Sequence, residues 1–212
     1  MMKVYSRILC LLALALFGGN IIGQSVNHAI EVLEEGEILV LSNLVQGINN
    51  SGEQVKTGKY QAITTADVSI EDCLKVMKET SLHNDIIRNA SRTEKIKTIS
   101  DDEWYSYYYF SGAFGMPDYD AVMKMQCFIN EANNSFTILG TASPGLIESR
   151  GVGRIESYEI LCAVRELEDD KVEISISAEY TPVNTAPDWK IKMCYPEPVS
   201  LLEGMIWLAE GI

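Results

Sequence analysis

Arg154 is the charged residue with the most chemical promise in this chain. It sits on a stretch of alternating polarity, in phase with Val152, Tyr158 and Ile160. Apolar companions on one strand face predict an inward guanidinium that meets a carboxylate, and Asp118, Asp120 and Glu156 are the candidates. An inward pair of this kind orients the polar end of an amphipathic molecule through charge-assisted hydrogen bonds. Exposed at a strand end, the same residues make an ordinary surface ion pair. Lys124 and Gln126 pose the same question: they are pocket groups if their strand face is inside and solvent groups if it is outside.

Other chemistry is poorly represented. His28 and His83 are the only histidines, and neither stands in a Gly-x-Ser-x-Gly or Cys-His pattern, so no catalytic residue is expected. Cys73, Cys127, Cys162 and Cys194 are widely spaced, with no Cys-x-x-Cys. That spacing is unlike a metal knuckle or a thioredoxin-type motif. The chain has no Gly-x-x-x-x-Gly-Lys loop to cradle a phosphate. No metal or cofactor is expected. Cys127 and Cys162 fall at the apolar phase of strands, which favours buried thiols, although an oxidising compartment permits disulfides and leaves their pairing open.

The elements that must position Arg154 follow from periodicity. Val26, Ile30 and Leu33 predict a short helix over Val26–Leu33. Ile38–Val45 and Lys59–Val68 read as a hairpin across the turn-rich segment 47–52. Ser69 is an N-cap with Asp72 three residues on, opening a helix whose apolar stripe is Ile70, Cys73, Leu74 and Met77. Strands follow over Arg88–Ser100, Trp104–Phe110, Asp120–Asn130, Ser135–Thr141, Gly151–Glu166 and Val172–Tyr180. On the third of these, Ala121, Met123, Met125, Cys127 and Ile129 share one face. The last alternates most cleanly, with Val172, Ile174, Ile176, Ala178 and Tyr180 opposite Glu173, Ser175, Ser177 and Glu179. A C-terminal helix starts at Pro196 and Pro198, and its apolar face is Val199, Leu202, Met205, Ile206 and Ala209. The order is helix, hairpin, helix, meander, helix, which makes one α+β domain.

Lys3 and Arg7 ahead of the apolar run Ile8–Phe17, with Gly18, Gly19 and Gly23 after it, predict a cleaved signal peptide over residues 1–23. The apolar run is shorter than the roughly 20 residues of a membrane span. A secreted or periplasmic protein is the expectation. The net charge of −13 makes nucleic acid an unsuitable partner, because phosphate backbones repel such a surface.

Three motifs in order carry a resemblance. They are Tyr107-Tyr108-Tyr109 leading into Met116-Pro117-Asp118-Tyr119-Asp120-Ala121-Val122; Gly151-Val152-Gly153-Arg154-Ile155-Glu156; and Ala178-Glu179-Tyr180 followed by Pro187-Asp188-Trp189. With the element order, they resemble the START domains and the wider helix-grip (START/Bet v 1-like, SRPBCC) superfamily over about residues 30–212. Tyr119 stands where family members often carry the Arg of Asp-Arg-Asp, and Leu82-His83-Asn84-Asp85 stands where an aromatic usually follows the first long helix. The resemblance implies a helix-grip fold in residues 24–212, a curved antiparallel sheet wrapped around the C-terminal helix. It also implies a hydrophobic cavity for a lipid or other apolar ligand, and transient membrane contact. The cavity candidates are Arg154, Asp120, Met123, Met125, Tyr108, Tyr158 and Met205. The flexible thioethers suit a pocket that adapts to greasy guests. Two other functions fit the same fold: an aromatase/cyclase-like enzyme, and a non-catalytic interaction module with a filled core.

Overall fold

The structure is a computed structural model that describes residues 31–35, 38–48, 52, 54–112, 117–167, 171–181 and 197–212. Its strands are β1 (Glu31–Glu35), β2 (Ile38–Ile48), β3 (Gln54–Ala66), β4 (Ala90–Ser100), β5 (Glu103–Phe110), β6 (Tyr119–Asn130), β7 (Ser135–Ala142), β8 (Gly153–Arg154), β9 (Tyr158–Glu166) and β10 (Val172–Tyr180). Its helices are α1 (Ile70–Lys78), α2 (His83–Ile86) and α3 (Glu197–Glu210), with single 3₁₀ turns at Thr80–Leu82 and Glu131–Asn133.

All the strands join one sheet in the order β1-β2-β3-β10-β9-β7-β6-β5-β4, and β8 lies beside β6 off this path. Every neighbour on the path is antiparallel. β1 and β4 are the edges, so the sheet is not closed. Pairing of β3 with β10 ties the N-terminal hairpin to the far end of the meander. The helices lie on one face of this sheet, with α3 against β3, β10, α1 and α2, and α1 against β7 and β9. This is an α+β helix-grip fold.

Local chemistry explains the elements. Ser69 Oγ accepts from the Asp72 amide at 3.0 Å, which satisfies one of the orphan donors at the start of α1. Glu71 and Asp72 in its first turn and Lys75 and Lys78 in its last complement the helix dipole. In the sheet, inward residues follow the period of two: Val40, Ala62, Ile176, Cys162, Ile138 and Cys127 form one buried row across six strands. Gly140 permits close packing in the next row, where a Cβ would lie 2.8 Å from Ile160 Cγ2 and 3.0 Å from Met125 Sδ. Gly204 does the same for α3, since a Cβ there would lie 2.7 Å from Ile86 Cβ.

The structure corrects two expectations. The segment expected to be helical over Val26–Leu33 is strand from Glu31, which pairs with Ser42 as β1 joins β2. Hydrogen bonds along that strand outweigh a helical spacing carried by only three apolar residues. The remainder of the expected helix lies outside the described residues. The single strand expected over Gly151–Glu166 is two. β7 leaves β6 at Met123, and β8 takes the vacated edge, pairing parallel with Tyr119 and Asp120. The chain then turns through Ile155–Ser157 before β9 begins between β7 and β10.

Candidate functional site

That break decides where Arg154 points. Its phase with Tyr158 and Ile160 requires a strand through Ile155–Ser157, and the strand does not continue there. Ile155 packs against the main core, and Arg154, its neighbour on β8, turns to the other side of the sheet. Its Nε and Nη2 donate to the two carboxylate oxygens of Asp120, each at 2.8 Å. Its remaining donors reach the carbonyls of Pro144 at 2.9 Å, Ile147 at 2.5 Å and Glu148 at 3.3 Å. Asp120 is fully buried and the Arg154 side chain is 9% exposed. Pairing with Asp120 pushes the guanidinium pKa up.

Asp120 alternates with Ala121 and Met123, so this pair occupies the outer face, away from the helices. Val122 and Tyr107 are buried on that face too, because segment 143–154 folds over them. The Ser143 amide donates to the Val122 carbonyl at 2.7 Å, and the Arg150 guanidinium stacks over Tyr107 at 4.2 Å. Arg154 and Asp120 clamp this cover onto the sheet. Lys124 and Gln126 are also outside, both engaged with Glu103. Asp118 accepts from Tyr109 at 2.6 Å and from the Gly112 amide at 2.8 Å, closing the β5–β6 connection.

The other candidates lie on the inner face. Met123, Met125, Tyr108 and Met205 belong to the same buried core, and Tyr158 packs against it half-buried. Met205 reaches this layer from α3, which the pattern Val199-Leu202-Met205-Ala209 buries against the sheet and the shorter helices. Aromatic rings extend the layer along β5 and β6: Tyr108 stacks on Phe110, and Phe110 stacks on Tyr119 at a centroid distance of 4.7 Å. A second group gathers at β3, β9 and β10, where the Tyr60 and Tyr158 hydroxyls are 3.1 Å apart and Tyr158 meets Tyr180 edge-on.

His83 emerges from the structure rather than from the sequence. It is 2% exposed, and its Nδ1 lies 2.9 Å from the Tyr108 hydroxyl. Burial holds its pKa down to about 4, so the ring is neutral at physiological pH. The carbonyls of Val76 and Met77 pull the other way without meeting hydrogen-bond geometry at Nε2. Beside it, Trp104 Nε1 and Thr80 Oγ1 both meet Ser106 Oγ, and Thr93 Oγ1 donates to the Thr80 carbonyl. A contact between residues this far apart leaves no periodic mark, and the polar neighbours Ser81, Asn84 and Asp85 give no sign of burial.

Among the described residues, no group of three His, Cys, Asp or Glu side chains is placed to hold a metal ion. A groove of about 490 Å³ runs outside the core between the α2–β4 turn and α3. Ile87, Arg88, Glu203 and the exposed Trp207 are among its walls. Pro187, Asp188, Trp189 and Cys194 lie outside the described residues.

Solved structures share this arrangement. A STAR-related lipid transfer protein from Xanthomonas axonopodis superposes with a TM-score of 0.71 at 15% identity, covering 86% of this chain and 99% of its own. The fold is that of START domains. Human StAR-related lipid transfer protein 5 matches with a TM-score of 0.68 at 15% identity, over 99% of this chain and 96% of its own. The Zhui aromatase/cyclase of a Streptomyces species matches at 0.54 and 9% identity, over 73% of this chain and 94% of its own. No protein-family model matches the sequence, and no curated protein is significantly similar to it.

Proposed function

We propose that this START-like chain binds a lipid or other hydrophobic small molecule between the inner face of its sheet and α3, and carries it between sites. The observation that carries this reading is the convergence of Met123, Met125, Tyr108, Tyr158 and Met205 on that face, in a fold shared with two proteins named for lipid transfer. Thioethers and aromatic rings adapt to apolar surfaces of varied shape. In this reading Met123, Met125, Tyr108, Tyr158 and Met205 face the ligand, and Arg154 with Asp120 braces the wall from behind. Delivery involves transient contact with a membrane.

We further propose that residues 1–23 are an export leader and that the binding domain, residues 24–212, works outside the cytoplasm. The basic residues Lys3 and Arg7 before the apolar run Ile8–Phe17 support this. N-terminal sequencing of the exported protein tests it: a start near Gln24 is expected, and an intact Met1 found only in the cytoplasm overturns it.

Native mass spectrometry after gentle purification tests the carrier reading. Co-purified lipid, released on denaturation and transferable between vesicles, is the expected result. Protein that stays empty and extracts nothing from vesicles overturns it.

A further inference from the structure

The inner layer is free of formal charge over most of its extent. From β2 to β5 the inward positions are Ile38, Val40, Ser42, Leu44 and Gln46; Lys56 to Ala66 in steps of two; and the corresponding residues of β10, β9, β7, β6 and β5. Among them, charged residues occur only at strand ends, at Lys56 and Glu166, and Glu166 is engaged with Asn134 outside the core. The helix residues buried over this layer are also uncharged: Ile70, Cys73, Val76 and Met77 of α1, and Val199, Leu202, Met205 and Ala209 of α3. The polar groups buried inside are hydroxyls, thiols, the Trp104 indole N–H and the neutral imidazole of His83. A phosphate, carboxylate or quaternary ammonium brought into this layer would be desolvated with no countercharge.

One of these hydroxyls lacks a partner. Ser42 is 3% exposed, and its Oγ is buried with no hydrogen-bond partner among the described residues. A buried hydroxyl left this way is costly, which makes it a site where a partner adds stability. Across the strand pair, Ser42 stands opposite Tyr60 on the same face, and Tyr60 shares its hydroxyl contact with Tyr158. This corner is also set apart from the main core. Tyr60 and Ala178 form a separate buried cluster, joined to the residues under the helices through half-buried Tyr158 and Ile160.

We infer that the ligand is an amphiphile without formal charges, whose hydroxyl or carbonyl end hydrogen-bonds to Ser42 beside the Tyr60–Tyr158 hydroxyl pair. This rests on the carrier reading above and names the class of molecule that site accepts. The apolar body of the molecule lies along Met123, Met125 and Met205, and its polar end turns toward β2 and β3.

The test titrates the full chain with three fluorescent probes presented in vesicles: dehydroergosterol, a labelled phosphatidylcholine and a labelled fatty acid. Wild type is expected to bind the sterol alcohol at least tenfold more tightly than either charged-head lipid. Ser42→Ala is expected to weaken sterol binding about five- to tenfold, the loss of one net hydrogen bond, and Ser42→Thr to restore most of it. Tyr158→Phe is expected to show a similar loss, with circular dichroism and melting reported alongside to confirm folding. Equal or tighter binding of phosphatidylcholine or fatty acid overturns the inference and leaves the carrier reading standing. Sterol binding unchanged in both Ser42→Ala and Tyr158→Phe overturns the placement of the polar end. If no probe binds, the carrier reading falls and the inference falls with it.

Discussion

His83 Nδ1 and the Tyr108 hydroxyl, 2.9 Å apart, join α2 to the middle of β5 at a point sealed from water. Burial sets the protonation of both groups. It raises the Tyr108 phenol pKa far above its usual value and lowers that of the imidazole to about 4. Between pH 4 and the unfolded histidine value near 6.5, the unfolded chain therefore binds a proton that the folded chain refuses. Stability should fall as pH drops through this window and be unaffected by His83 above it. At full extent the loss is on the order of 3 kcal/mol. Urea midpoints measured from pH 7.5 to 4 should decline more steeply for wild type than for His83→Gln. Parallel slopes for the two proteins would reject the assignment.

The Arg154–Asp120 pair predicts a loss of stability with little change in binding. Arg154→Ala leaves a fully buried carboxylate without its guanidinium and frees the Pro144, Ile147 and Glu148 carbonyls. Breaking a buried pair costs about 3–5 kcal/mol. Chemical denaturation should show that loss, while lipid retained per folded molecule stays within about twofold of wild type, the scatter expected of a site acting through the wall. Replacing both partners, as Arg154→Met with Asp120→Leu, should recover much of the stability, since neither charge is then left alone. A single variant of normal stability that fails to hold lipid would place the guanidinium in the ligand site instead.

The sheet was more legible than the site, for a physical reason. Strand alternation is local, so β5, β6, β7 and β10 follow from which residues repeat every second position, and Ser69 with Asp72 marks the start of α1 by itself. The inward set Met123, Met125 and Met205 follows from the same periods. Arg154 shows where that logic ends. Its face depends on whether β8 and β9 are one strand, and this is settled by β7 releasing the edge of β6, a pairing remote in sequence. His83 is a similar case, because its partner Tyr108 comes from another element and nothing in the spacing links them. The strand at Glu31–Glu35 likewise exists because β2, paired with β3 on one edge, offers its other edge over Ile38–Ser42.

Gly204 sets how closely α3 approaches α2. Alanine is ordinarily the better helix residue by about 1 kcal/mol, yet a Cβ at this position would overlap Ile86 at 2.7 Å. Gly204→Ala should therefore destabilise the protein by roughly 1–3 kcal/mol despite its propensity. Ile86→Gly removes the obstructing Cβ and Cγ2 and leaves only the Cα at 2.9 Å, so the double variant should be more stable than the sum of the single effects predicts. Thermal melts of the four proteins give the coupling directly. An additive result would mean that α3 does not rest on Ile86.

The cysteines offer a check on the core itself. Cys73, Cys127 and Cys162 are free and buried; burial pushes the Cys73 thiol up to about 11 and the Cys162 thiol further still. The thiolate is the reactive form, so both depth and protonation protect these residues. In a chain carrying Cys10→Ser and Cys194→Ser, an aromatic disulfide reagent should label almost nothing at pH 8 until denaturant is added. Cys73, Cys127 and Cys162 should then all react. Labelling should track global unfolding, because Cys162 sits in the buried row that crosses β2, β3, β10, β9, β7 and β6. Fast native labelling at Cys162 would mean that α1 lifts from β9 without the sheet unfolding, and the packed layer on which the inner-face assignments rest would have to be redrawn.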